Sequence, residues 1–159
     1  RVARGCLGDP GHIIVDVSGN SPCRCGGNGC LEAVASGWAL MERAKRIGIE
    51  ATPKQIFERA AAGETALVEL ARQAAVAVGV GLASLCVLLN PDTVALGGGV
   101  ALEAGEPFRR QAEETMRAHG APFLVRDTRV VSARAGRYAG LLGAAATVLF
   151  SAASSRGSA

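Results

Sequence analysis

The chain reads as an α/β protein, and three observations carry that reading. Short β-branched runs at residues 12–17 and 93–96 run into turns, while the stretches between them repeat apolar residues at helical spacing. The connections are long enough to bring strands side by side in parallel through a helix. Hydrophobic residues make up 49% of 159, yet only one Trp, one Tyr and four Phe are aromatic. The core must therefore be built from Ala, Val, Leu and Gly, and a chain of this length buries one such core as a single domain or lobe.

Residues 12–17 read as a strand closed by the turn Ser18-Gly19-Asn20. Residues 32–47 read as an amphipathic helix with Val34, Trp38, Met41 and Lys45 near one face, ended by Gly48. Thr52-Pro53-Lys54-Gln55 sets out a cap, a first-position proline and a capping-box glutamine, so a second helix opens there and runs to Ala62. A long helix is expected over 65–89, a strand over 93–96, and a turn at Gly97-Gly98-Gly99. Residues 106–119 form another helix, with Arg109, Arg110, Glu113 and Glu114 toward solvent and His119 favouring its carboxyl end. One or two strands are expected in 123–133 and a small-residue helix in 140–150. Residues 154–159 read as a flexible tail.

The chemistry concentrates in the first thirty residues. Cys23, Cys25 and Cys30 stand with His12, one of only two histidines, around a glycine-rich turn. One imidazole and three thiolates are a full tetrahedral set for zinc and leave no position for a catalytic water, so the cluster over 12–30 reads as a closed structural site. Cys23 and Cys25 both face one point only if the backbone bends between them, and Gly26, Gly27 and Gly29 then supply the dihedrals that return Cys30. The other reading is disulfides or free thiols. Cysteines one residue apart are poor disulfide partners, and five cysteines leave one over. Cys86 reads as a small buried hydrophobe in an apolar run, and Cys6 has no evident partner.

Several function classes are disfavoured. The formal charge of +3 comes from scattered residues, unlike a nucleic-acid footprint. Residues 73–91 lack charge over a near-spanning length, but Ala, Val and Gly dominate and a charged amphipathic stretch precedes them, so a buried core helix is expected rather than a membrane span. The first residues show neither a secretory segment nor an initiator methionine. The chain therefore reads as a piece of a longer protein in a reducing, cytoplasmic setting.

Taken together, Gly8-Asp9-Pro10-Gly11-His12, the Cys-x-Cys-Gly-x-x-Gly-Cys-x-Glu run from Cys23 to Glu32, Asn90-Pro91-Asp92, Leu96-Gly97-Gly98-Gly99-Val100 and Gly140-Leu141-Leu142-Gly143 resemble the ROK family. That family groups sugar kinases and sugar-responsive repressors. The resemblance covers nearly the whole chain and implies a partial actin-like, ribonuclease-H-like lobe over 1–153. It implies zinc on His12, Cys23, Cys25 and Cys30, and sugar contacts from Asp9, His12 and Glu32. Aspartate at position 9, where the family usually has glutamate, is a departure. It keeps the charge but is one methylene shorter. Read without the resemblance, Asp9 is a turn residue before proline and Glu32 a first-turn glutamate favoured by the helix dipole. Gly97, Gly98 and Gly99 correspond to the adenosine side of the family kinases, although glycines after a strand also serve plain turns.

No aspartate of the chain sits in a motif that supplies the base, phosphate cradle and magnesium ligands of phosphoryl transfer. The sequence therefore favours the sugar-sensing, self-associating lobe of a repressor, forming a homodimer or larger assembly. The same lobe of an ATP- and magnesium-dependent sugar kinase is the alternative, and a ligand-free zinc-stabilised module is a third.

Overall fold

The computed structural model describes residues 8–156, with the side chains of Arg137 and 150–156 left aside, and Cys6 and 157–159 lie outside it. Seven helices and two strands follow one another among the described residues: α1 (Leu31–Ala35), α2 (Gly37–Arg46), α3 (Pro53–Ala61), α4 (Thr65–Leu89), β1 (Thr93–Leu96), α5 (Gly98–His119), α6 (Pro122–Val125), β2 (Arg129–Ser132) and α7 (Ala139–Arg156). β1 and β2 pair in parallel, Thr93 opposite Arg129 and Leu96 opposite Ser132, with α5 as the crossover. The α/β expectation holds in this reduced form: one parallel pair amid packed helices.

Helix ends follow their local chemistry. Thr52 and Gln55 form the capping box at α3. Asn90 ends α4 in the left-handed region at φ 44°, a C-terminal device that asparagine tolerates, and Pro91 follows. Inside α5 the helix bends at Gly105, φ 66°, two residues before Pro107.

Two cores lie along α4. Leu40, Ile56, Leu67, Leu70 and Ala74 fill the first, where Phe57 meets Phe108 edge to face at 5.9 Å. Leu82, Cys86, Met116, Val125 and Val130 fill the second. Cys86 is fully buried, its thiol 3.7 Å from Met116 Sδ. α4 is long and apolar enough to cross a membrane by length and composition. Its buried face, however, packs against α1, α3 and α5 as expected of a core helix. α5 packs tightly on α4 at Gly79, where a Cβ would stand 2.4 Å from Thr115 Cβ and 2.5 Å from the Ala112 carbonyl.

Five expectations are corrected. Residues 12–17 are not a strand: His12 ends a 3-10 turn (Pro10–His12), and only an isolated bridge joins Ile14 to Cys30, because Asp16 turns the chain by accepting from the Ser18 N–H. The helix over 32–47 is broken by Ser36, whose hydroxyl caps α2 at Ala39 N, 3.2 Å away. That break rotates the buried face to Ala39, Leu40 and Ala44, leaving Met41 and Lys45 exposed. Arg109 and Glu113 are half-buried rather than solvated, since Arg109 reaches across to the Val130 carbonyl at 2.7 Å. The helix expected from 106 begins at Gly98, taking in Gly98 and Gly99 of the expected turn, whereas the single strand at 129–132 meets the expectation for 123–133. α7 continues to Arg156, taking in the first residues of the expected tail.

Candidate functional site

The loop between the 3-10 turn and α1 is folded by its own backbone. Val15 and Asp16 N–H groups both donate to the Gly29 carbonyl, at 2.8 and 3.1 Å, and Leu31 N–H donates to Ile13 at 2.8 Å. Asn28 ties the far side through Gly19 and Ser21. Gly29 sits at φ 78°, and a Cβ there would lie 1.8 Å from the Asp16 carbonyl, so this crossing admits only glycine.

The crossing gathers the four predicted ligands. The donor atoms of His12, Cys23, Cys25 and Cys30 all lie within 4.8 Å of one another. Cys25 and Cys30 sulfurs are 3.7 Å apart, and Cys23 Sγ stands 3.8 Å from His12 Nδ1. Thiolates held about 2.3 Å from a shared zinc in a tetrahedron sit about 3.8 Å from one another, so donor type and spacing both fit a closed metal site. The cysteines are thiols, not disulfides. Burial, together with the Cys25 and Cys23 thiols, pushes Cys30 up to about 12. The Gly27 N–H, followed by Cys23, holds Cys25 below the ordinary thiol value. Metal capture at neutral pH therefore displaces protons from this cluster.

The predicted ligand-facing residues meet in pairs. Glu32 lies in the first turn of α1, with Oε2 3.7 Å from His12 Nδ1. Asp9 Oδ2 lies 3.8 Å from His12 Nε2, while its other oxygen accepts from Gly11 N–H at 2.8 Å as the cap of the 3-10 turn. A cavity of about 370 Å³ brings Gly11, Leu31 and Glu32 together with Gly97, Gly98 and Gly99. Asp9 and His12 are not on its wall; His12 meets it through Glu32 and Asp9 through Gly11. Beside Gly98 and Gly99 the space is open, with nothing within 4 Å of an added Cβ. A separate cavity of about 260 Å³ is lined mainly by apolar residues, Phe57, Val68, Ala104 and Phe108 among them, with Arg72 and Gln111 at its edge.

Sequence reasoning missed two residues here. Trp38 donates its indole N–H to Glu32 Oε1 at 2.9 Å, and the Arg24 guanidinium lies 4.4 Å from the centre of its ring. The available signal was the chain's lone tryptophan, six residues beyond Glu32.

A family model described as "ROK family" matches residues 2–150. The chain belongs to the ROK family. It is similar to an N-acetylmannosamine kinase of Haemophilus influenzae (strain PittGG), 32% identical over 90% of this chain and 46% of that protein. Among solved structures, it superposes on a ROK family glucokinase from Streptomyces griseus in complex with glucose and AMPPNP. The TM-score is 0.74 and the identity 33%, over 90% of this chain and 51% of that one. It also superposes on a ROK family transcriptional regulator, a homolog of the E. coli MLC protein, at TM-score 0.69 and 29% identity. That match covers 79% of this chain and 34% of the regulator. The chain spans about half the length of the curated relatives it matches.

Proposed function

We propose that this chain is the sugar-facing half of a ROK sugar kinase, holding a structural zinc on His12, Cys23, Cys25 and Cys30. The observation that supports this most is the single cavity shared by Glu32 and the glycines 97–99. A carboxylate accepts strong hydrogen bonds from sugar hydroxyls. Glycines without Cβ atoms let a second ligand approach the backbone. One cavity edged by both suits a reaction between a sugar and a nucleotide.

In this reading Glu32 accepts from a hydroxyl, with His12 and Asp9 standing behind the wall, His12 3.7 Å from the Glu32 carboxylate and Asp9 bonded to Gly11. Gly97, Gly98 and Gly99 are the part of this chain offered to the nucleotide. Magnesium-bound ATP would supply the phosphoryl group. His12, Cys23, Cys25 and Cys30 would hold a zinc ion, which when bound would fix the loop that leads into the Glu32 turn. Three thiolate ligands suit a reducing, cytoplasmic setting.

The sequence favoured a repressor, and one observation still supports that second reading. Asp9 has one oxygen committed to Gly11 and is a methylene shorter than the family's usual glutamate. A looser sugar grip suits a sensor better than a phosphoryl acceptor site. A regulator of this kind works only if sugar binds its two states with different affinity.

The deciding experiment is calorimetric titration of the protein with hexoses and N-acetylated hexosamines, followed by an ATP-consumption assay on the intact protein. Sugar binding with ATP turnover is expected. Binding without turnover would transfer the assignment to the regulator, and no heat with any sugar would leave only a metal-stabilised interaction module.

A further inference from the structure

Between the cysteine loop and the ligand cavity stands a residue that belongs to neither. Trp38 is the second residue of α2, two positions past the Ser36 cap, and packs on the cluster formed by Cys23, Cys30 and Ala33. Its indole N–H binds Glu32 Oε1 at 2.9 Å. Arg24, which lies between two of the candidate metal ligands in sequence, stacks its guanidinium over the same ring at 4.4 Å. Glu32 Oε2 is thus the oxygen left facing His12, 3.7 Å away.

We infer that Trp38 is a positioning residue, locking the rotation of the Glu32 carboxylate and tying it through Arg24 to the metal loop. The physical reason is geometric. A carboxylate on a two-methylene stem turns freely unless one oxygen is fixed, and an indole N–H is a donor with no competing acceptor role. The Cys23–Cys30 cluster packs against one part of the half-buried indole, and the exposed Arg24 stacks on another. Glu32 then presents one defined oxygen to a hydroxyl instead of two averaged ones, which lowers the ordering cost of binding. An Arg24 anchored between two metal-bound cysteines would hold the indole more firmly than one on a loose loop, so metal occupancy is transmitted to the cavity wall.

This inference rests on the sugar-facing role given above to Glu32, and its test separates the two. The chain has one tryptophan, so its amide spectrum carries a single indole N–H resonance. Replacing Glu32 with Ala should shift that resonance upfield, and adding zinc to chelator-treated protein should sharpen or move it. An indole signal indifferent to both changes would overturn the inference. In parallel, Trp38→Phe keeps a ring for Arg24 but has no donor. It should retain the metal yet bind the preferred sugar about ten-fold more weakly, the scale of one lost bond to a charged group. Glu32→Ala combined with Trp38→Phe should bind no worse than Glu32→Ala alone, since both remove one interaction. A Trp38→Phe protein with wild-type sugar affinity, in a wild type whose binding depends on Glu32, would also overturn it. If wild type takes up no sugar at all, the sugar reading fails and the indole resonance alone decides the coupling.

Discussion

Gly29 is the residue on which the cysteine loop turns. Its φ of 78° and the 1.8 Å approach of the Asp16 carbonyl to a hypothetical Cβ act together. Gly29→Ala should lower stability by about 2–4 kcal/mol and weaken metal uptake, measured by urea denaturation and metal analysis. Gly26 offers the control, because φ is 90° with nothing within 4 Å. Gly26→Ala should cost only about 1–2 kcal/mol, the intrinsic penalty for a left-handed residue. Cys25→Ser tests the metal itself. It leaves the fold's apolar cores alone, so loss of bound zinc with a lower melting temperature is the expected pair of results. A variant that keeps both would refute the site.

At the scale of elements, the α4–α5 contact and the arginines of α5 hold the βαβ unit together. Gly79→Ala drives a methyl into Thr115 and the Ala112 carbonyl and should cost about 1–3 kcal/mol by overpacking, readable in a thermal melt. Arg109 joins Glu106, Glu113 and the Val130 carbonyl, clamping α5 onto β2. Arg109→Met should destabilise by about 1–3 kcal/mol, because it strips bonds from partly buried partners. Glu113 is raised by burial, but Arg117 and Arg109 outweigh this and leave it below its ordinary value of 4.5. Arg109 lowers Glu106 in the same direction. A depressed carboxyl binds fewer protons folded than unfolded. Its contribution is therefore present above about pH 4.5 and is lost as pH falls through the folded value. Unfolding free energy should stay level from pH 7 to about 5 and then drop, and Arg109→Met should drop less steeply.

For the molecule as a whole, the unbalanced feature is α7. Leu141, Leu142, Val148 and Leu149 are each more than half exposed, and the helix is apolar on all sides. Such a helix is ordinarily covered. The chain in isolation should therefore self-associate, with a sedimentation coefficient that rises with concentration. Leu141→Glu with Leu149→Glu should return it toward a monomer while sparing the α4 cores. A concentration-independent monomer for the unaltered chain would contradict this.

Much of this was legible along the chain. The capping box at Thr52, the glycines at the start of α5 and the cysteine spacing lie in local patterns that dihedral preference and ligand chemistry dictate, while the ROK assignment rested on resemblance to the family's motifs. What was not legible depends on neighbours distant in sequence. Residues 12–17 carry strand propensity but find only one bridging partner, since Asp16 bonds locally instead. The face of α2 was misplaced because Ser36, a hydroxyl able to serve as either a helical residue or a cap, resets the phase. Arg109 looked solvated until β2 arrived beside it.

Residue order alone determined the four donors, the turns that bend toward one another and the helices that must bury an Ala- and Leu-rich face, because each follows from interactions within a few residues. Only the tertiary structure decided that Glu32 and Gly97 to Gly99 share one cavity and that the Trp38 indole N–H bonds the Glu32 carboxylate. Those contacts join residues brought together by packing along α4 and across the Ser36 break, and no local preference encodes which surfaces meet.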